Sequence, residues 1–381
     1  MACNSGRSYP IQSGDTLYLI AQQKLGDGNR WTEILKPDGT QFTESDAENL
    51  QVGQEVCLPQ QSISHRRFAL YFSWSRLQEI GAELGKLENR YSSLFEFRRS
   101  IWPLYEWAAN PSQYKQDISG FLDHVVLFDF QHFSEVISTI TGNPVALIQR
   151  QSENGTLQLL DENFLEDIDT LIIVSLDHFG TEQKPRGEEV AAIKKFLERE
   201  DACLLVCPQH DVGAREDRAS HEIEFLHHGD RLVPAQQRIG GFARAILAEL
   251  GFPIENQFGL NPAKLSHDRS PAPLLTFPDL DDLKILQDVT TFNLHPHLPH
   301  YFIPDSLKDS VRVLAKQLIN PAAPIHPFVA AGNIYFNALL WILPSGTRVA
   351  NIFVCDATLW SSAFGGVQSL EFFWRNLALL E

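Results

Sequence analysis

The sequence has no apolar run that approaches the roughly 18 residues a helix needs to cross a bilayer, so membrane insertion is not expected. Its opening, MACNSGRSYPIQSGD, has no apolar h-region, which removes a recognisable signal peptide. No hydrophobic stretch precedes Cys3, and a lipoprotein leader goes with it. These absences give a cytoplasmic expectation. Positive charge is scarce: 31 Lys and Arg stand against 48 Asp and Glu, a net −17. A polyanion would be repelled, so neither nucleic acid nor an anionic membrane is expected as a general partner. Cysteine is also sparse. Cys3, Cys57, Cys203, Cys207 and Cys355 are an odd, scattered set, with Cys203 and Cys207 in or beside one apolar run. That placement suggests reduced buried thiols and no disulfide frame. No residue pair has a diagnostic metal spacing, no cofactor is implied, and whether a metal binds is left open.

What is present suits a globular chain of two or three domains: 381 residues, 44% hydrophobic and 21% charged. Residues 9–12 read as a short strand, and Ser13 and Gly14 as a turn. Asp15 is expected to cap a helix from Thr16, with Leu17, Ile20 and Ala21 on one apolar face. Gly26 supplies a stop. A second helix is expected to follow Asn29, carry Trp31, Ile34 and Leu35 inward, and close at Pro37. Residues 55–58 return as a strand. The order is β-α-α-β.

From end to end these residues resemble a LysM domain: Tyr9-Pro-Ile-Gln-Ser-Gly-Asp-Thr-Leu, then Gly26-Asp-Gly-Asn-Arg-Trp, then Leu50-Gln-Val-Gly-Gln-Glu-Val-Cys-Leu-Pro59. The resemblance implies non-covalent binding of an N-acetylglucosamine-containing glycan, of the peptidoglycan or chitin type, in a shallow groove. Carried over, it implies Gly14, Asp15, Thr16 and Leu17 on one side and Asn49, Leu50, Gln51 and Val52 on the other. Exposed amides would bond N-acetyl carbonyls, and apolar side chains would cover sugar faces. Residues 36–49 exceed the family's usual link, and Thr43-Glu-Ser-Asp46 has capping-box spacing with Asp in the acidic place. An extra helical turn is therefore expected beside the groove. The alternative use of such a module is as a protein-assembly peg, as in contractile, phage-tail-like particles.

Residues 61–123 read as a linker with a helical segment. A strand is possible from Phe68, a helical stripe runs from Leu77 to Phe95, and Trp102, Tyr105 and Trp107 form an aromatic patch. Aromatic residues at such spacing are more often core than binding surface. From residue 124 to 381, apolar runs alternate with helical segments: HVVLFD at 124, residues 145–148, TLIIVSL at 170, ACLLVC at 202 and VANIFVCD at 349. Near-continuous hydrophobic strands separated by helices predict a doubly wound, mostly parallel sheet in an α/β fold. The arrangement resembles the class I glutamine-amidotransferase-like fold and its ThuA-like branches. The resemblance rests on Asp129-Phe-Gln-His132, Asp167-Ile-Asp-Thr-Leu-Ile-Ile-Val, Cys207-Pro-Gln-His-Asp211 and Cys355-Asp-Ala-Thr-Leu-Trp360.

Cys207 stands where that family places its nucleophile, but Pro208 follows it and cannot donate the backbone N–H of an elbow oxyanion hole. No glycine flanks it and no late His-x-Glu dyad appears. A catalytically degenerate domain that binds a ligand or partner is expected, and glutaminase activity is not. The rival is a hydrolase acting on a sugar or amide through His210, Asp211, His228 and Asp356, which follow strand ends or their next excursion. His295, His297 and His300 form another cluster in a proline-rich stretch.

Overall fold

The computed structural model describes residues 7–25, 28–58, 64–73, 130–151, 156–175, 183–209, 218–228 and 240–380. The expected strand at 124–129, the helical stripe at 77–95 and the aromatic patch at 102–107 lie outside them. The chain divides into two compact units, Met1–Ile63 and Ser64–Glu381.

In the smaller unit, β1 (Arg7–Pro10) pairs antiparallel with β2 (Glu55–Leu58). Between them come α1 (Leu17–Leu25), a 3-10 turn at Gly28–Glu33, and α2 (Glu44–Glu48). Leu17, Ile20 and Ala21 of α1 meet Ile34, Phe42 and Val56 in a small dry core. The second helix is thus a 3-10 turn, shorter than the spacing predicted. Thr43 and Asp46 form the expected reciprocal capping box on α2, and Lys36 lies 2.9 Å from Asp46. Asp15 does not cap α1. Thr16 does, its Oγ1 accepting from the Leu19 amide at 3.1 Å. Asp15 instead accepts from the Tyr9 hydroxyl at 2.9 Å and the Gln12 amide at 2.8 Å, closing the turn that precedes the helix.

The larger unit is an α/β fold around an eight-stranded sheet. Its elements are β3 (Phe68–Ser73), α3 (Gln131–Thr141), β4 (Ala146–Gln149), α4 (Glu162–Glu166), β5 (Thr170–Ser175), α5 (Gly187–Phe196), β6 (Cys203–Pro208), α6 (Arg218–His228) and α7 (Gly241–Glu249). Then follow β7 (Glu255–Leu260), β8 (Leu275–Thr276), β9 (Leu298–Phe302), β10 (Val311–Leu318), α8 (Pro327–Ala330), β11 (Tyr335–Ile342), β12 (Asn351–Cys355) and α9 (Val367–Ala378). The strand order is β4-β3-β5-β6-β12-β11-β10-β8. The first five strands are parallel, and the last three extend the sheet antiparallel. β7 and β9 form a separate antiparallel pair.

Four of the parallel strands, β3, β5, β6 and β12, are buried on both faces, as their apolar runs require, while the edge strand β4 is partly exposed. Phe72, Val174, Leu205 and Phe353 face one core with Phe133 of α3 and Trp374 of α9. Tyr71, Ile173, Val206 and Val354 face the other with Ile193 of α5 and Phe242 of α7. This second core holds a buried ion pair: Arg150 Nη2 lies 2.7 Å from Glu189 Oε2, and the Tyr71 hydroxyl is 3.2 Å from Glu189 Oε1. Burial pushes the Tyr71 hydroxyl far above its ordinary pKa. β3 lies in the middle of the parallel set, between β4 and β5, where the sequence suggested only a possible strand within a linking segment.

The register of β3, β5 and β6 is set at their amino ends by Asp169. Its carboxylate accepts from the Arg67 amide at 2.8 Å and from the guanidinium groups of Arg67 and Arg199 at 3.0 and 3.1 Å. Its carbonyl accepts from the Cys203 amide at 2.8 Å. Burial raises the Asp169 pKa, but the Arg67 hydrogen bonds outweigh it and hold the carboxyl below its ordinary 3.8. Asp169→Ala is expected to cost about 2 kcal/mol in denaturant unfolding, since it removes the acceptor shared by the Arg67 amide and two guanidinium groups. The wild-type contribution should be complete above the ordinary value of 3.8 and fade as pH falls through the lower folded value. A mutant midpoint equal to wild type at neutral pH would remove Asp169 from this role.

Candidate functional site

β3 leads to β4 on one side and the chain then crosses to β5 on the other, so the winding direction reverses between β3 and β5. Open parallel sheets bind ligands outside the carboxyl ends of their strands at such a reversal. Here the two strands end in Ser73 and Ser175, both buried, with their hydroxyls 3.1 Å apart. Ser175 Oγ also accepts from the Ala243 amide at 3.1 Å, in the first turn of α7. Gly240, at φ +84°, precedes that turn, and an added Cβ would lie 2.8 Å from the Gln209 amide. Only glycine lets α7 approach the end of β6 so closely. Gln209 follows β6 and is buried. Its carbonyl accepts from the Asn256 side chain, whose Oδ1 takes a hydrogen bond from Arg244 at 2.9 Å.

Asp356 follows β12 and caps the short 3-10 turn Ala357–Trp360. Its Oδ1 accepts from the Thr358 amide at 2.9 Å and from the Thr358 hydroxyl at 2.5 Å. That hydroxyl accepts in turn from Asn293 Nδ2 at 2.9 Å, and Asn293 Oδ1 accepts from the His295 amide at 3.0 Å. The His295 ring stands edge-on to His297, and the His297 ring lies tilted against His228 with centroids 3.7 Å apart. His228 Nε2 donates to the Gly259 carbonyl. Hydrogen bonds and then ring contacts thus connect the predicted residues Asp356 and His228, although no hydrogen bond links them directly among the described residues. His210 and Asp211 lie outside the described residues, as does Asp129. His132 is elsewhere, on α3, paired with Glu371 at 2.6 Å.

Two further buried histidines, His227 and His326, and the half-buried His300 are likewise held by backbone groups. His227 Nδ1 donates to the Pro324 carbonyl at 2.7 Å, and its Nε2 accepts from the Asn261 amide at 3.1 Å. His326 Nδ1 accepts from the Phe328 amide at 3.0 Å, and its Nε2 reaches Glu224 Oε1 at 3.2 Å. His300 Nδ1 accepts from the Asn337 amide at 3.2 Å. Each of these three rings uses one nitrogen as an acceptor for a backbone N–H, which fixes its tautomer. His227 and His228 are neighbours on α6, but each turns to a different backbone carbonyl, so they bolt the helix down at two points. Among the described residues, no group of three or more His, Cys, Asp and Glu side chains is arranged to hold a metal ion. His326 and Glu224 had no sequence signal, because their partners come from distant segments. Gln209 had one, its position directly after a strand.

Cys207 is fully buried in the sheet core. Its sulfur accepts from Trp360 Nε1 at 3.3 Å and lies 3.7 Å from the Cys355 sulfur. Cys203, Cys207 and Cys355 are free thiols, and burial pushes the Cys203 thiol up to about 12. Cys57 differs from the thiol expectation: it is disulfide-bonded, with its partner outside the described residues.

In the smaller unit the two predicted groove loops lie side by side. The Ile11 amide donates to the Gln54 carbonyl at 2.9 Å, and the Gly53 amide to the Ile11 carbonyl at 2.8 Å. Those bonds bring residues 12–16 beside residues 49–53 at one end of the β1–β2 pair. Gly14, Thr16, Asn49, Gln51 and Val52 are exposed, while Asp15 and Leu50 are half-buried. Leu17 departs from the expectation: its side chain is 2% exposed and belongs to the core of the unit, so it cannot cover a sugar face. Asn49 Nδ2 is engaged by the Ser45 carbonyl at 2.8 Å, and the Gln51 amide by Gln54 Oε1 at 3.0 Å.

Two outcomes follow from the buried groups. A thiol-reactive probe should label Cys207 of the native protein no faster than global opening allows, and rapid labelling would contradict its burial. Stability should fall as pH drops below about 6.5, where unfolded histidines take up protons that the folded rings refuse. Burial lowers the pKa of His227 and brings His300 down to about 4. The loss should therefore continue down to that lower value, and a flat unfolding midpoint between pH 7 and 5 would contradict it.

No helix among the described residues is long and apolar enough to cross a membrane. The chain matches no known family and no curated protein. Among solved structures it is similar to the mmIFT52 N-terminal domain, at 10% identity and a TM-score of 0.35, over 62% of this chain and 82% of that one. It is also similar to a ThuA-like protein from Bacteroides uniformis, at 10% identity and a TM-score of 0.32, over 81% of this chain and 91% of that one.

Proposed function

We propose that the smaller unit is a LysM-type module that binds an N-acetylglucosamine-containing glycan along the edge formed by residues 12–16 and 49–53. The observation that carries this reading is the pinning of the two loops side by side through Ile11, Gly53 and Gln54. Among the described residues, the Gly14 and Val52 amides donate to no protein acceptor, and the Val52 side chain is 71% exposed beside them. Outward amides next to an apolar side chain suit an N-acetyl group, whose carbonyl accepts while its methyl seeks apolar cover. α2 ends directly before Asn49 and borders the same edge, as the longer link suggested.

In this reading the larger unit is a ligand- or partner-binding body, with Cys207 too deeply buried to act as a glutaminase nucleophile. The glycan assignment is tested with the full-length protein on insoluble peptidoglycan and chitin. Retention is expected on at least one, and Val52→Asp should abolish it without lowering the melting temperature, because the side chain is exposed. Asp15→Ala should cost about 1 kcal/mol of the unit's stability through its lost hydrogen bonds. Failure of the folded protein to bind either polymer would leave the protein-assembly role for this module.

A further inference from the structure

Two buried oxygens at the carboxyl ends of neighbouring strands have no hydrogen-bond partner: Asp356 Oδ2, after β12, and Gln209 Oε1, after β6. Both residues are 4% exposed. Their surroundings are otherwise well satisfied. Asp356 Oδ1 takes two bonds from Thr358, which Asn293 braces, and the Gln209 carbonyl takes the Asn256 side chain. The carboxylate is therefore held in one orientation with one oxygen bare. Leaving a buried polar atom unpaired costs about 1–3 kcal/mol, and more when it is charged, so such atoms in native proteins call for a partner.

We propose that the carboxyl end of β12 is a subsite for a protonated primary amine, with Asp356 Oδ2 receiving the ammonium group. Both bare atoms are acceptors, so the ligand must bring donors. The carboxylate has no Lys, Arg or His in hydrogen-bonding contact among the described residues, so the ligand must also bring positive charge. A metal ion would need further ligands, and no three-ligand group is assembled among the described residues. A primary ammonium supplies three N–H donors and one charge in a small volume. The position agrees with the rule that parallel sheets bind ligands outside their strands' carboxyl ends. The inference rests on the reading of the larger unit as a binding body and names its ligand chemistry.

The test uses the full-length protein and methylammonium chloride, compared with tetramethylammonium and sodium chloride at equal ionic strength. Tetramethylammonium has the charge but no N–H. The melting temperature should rise with methylammonium and not with the other two salts. Asp356→Asn keeps a capping oxygen for Thr358 but loses the charge, and its methylammonium affinity should be about tenfold weaker or less. Equal responses to the three salts, or an undiminished response in Asp356→Asn, would overturn the proposal. So would no response at all, which would leave a water molecule as the partner of Oδ2. Should the variant fail to fold, the wild-type comparison of the three salts still decides. Rapid labelling of Cys207 would count against the binding-body reading alone, so the two failures are distinguishable.

Discussion

Asp169 is the constraint on which the parallel sheet depends. A parallel pair has no tight turn to set its register, because its strands are joined by long crossovers. Here register is imposed at the amino ends, where one carboxylate gathers the Arg67 amide and the guanidinium groups of Arg67 and Arg199. With those ends fixed, Phe68 faces Thr170 and Thr170 faces Cys203, and the opposite ends fall into line as well. Ser73 meets Ser175, and Ser175 pairs with Pro208. The polar ends around which the candidate site forms are therefore positioned by an interaction a full strand length away.

The molecule treats its buried polar groups in two ways. Arg150, Glu189 and Tyr71 satisfy one another within the second core, and Glu189 also accepts from the Arg186 amide at 2.9 Å. Such a network, fully paired, holds α5 against the sheet without leaving an atom exposed to the low dielectric. The histidines work similarly: His227 spends both nitrogens on backbone groups, and His326 spends one on the Phe328 amide and the other on Glu224 of α6. Asp356 and Gln209 are departures at the carboxyl ends of their strands, as Thr170 Oγ1 and Arg348 Nη1 are elsewhere in the unit. Their contrast with the satisfied groups nearby distinguishes the proposed point of recognition from ordinary structural polarity.

The sequence made the sheet legible where strands are buried on both faces. TLIIVS and CLLVCP have no polar residue facing solvent, and they read directly as central parallel strands. β3 was harder, since FALYFS is separated from its sheet neighbours β4 and β5 by long stretches of chain. β10 escaped entirely: VRVLAKQL mixes buried and half-buried positions and carries register shifts around Ala315, so no clean alternation survives. Within the candidate site, Asp356 and His228 were legible from their places after strands or beside them. His326, Asn293 and Glu224 were not, because they matter only through partners remote in sequence. In the smaller unit the spacing located both loops, but it could not tell that Leu17 turns inward or that Thr16, and not Asp15, caps the helix.

The place of β12 has a consequence for how the chain is made. It lies between β6 and β11, completing a parallel pairing on one side and an antiparallel one on the other. Cys207 and Cys355, adjacent in space, are 148 residues apart in sequence. Synthesis at about 5–20 residues per second therefore delivers β6 to the tunnel exit several seconds before the strand that covers its edge. During that interval CLLVCP presents an unpaired, wholly apolar border, the kind of edge that invites pairing with another nascent chain. β12 thus acts as a late keystone for the nascent chain, and ribosome pausing before it would lengthen the period in which a chaperone has to shield β6.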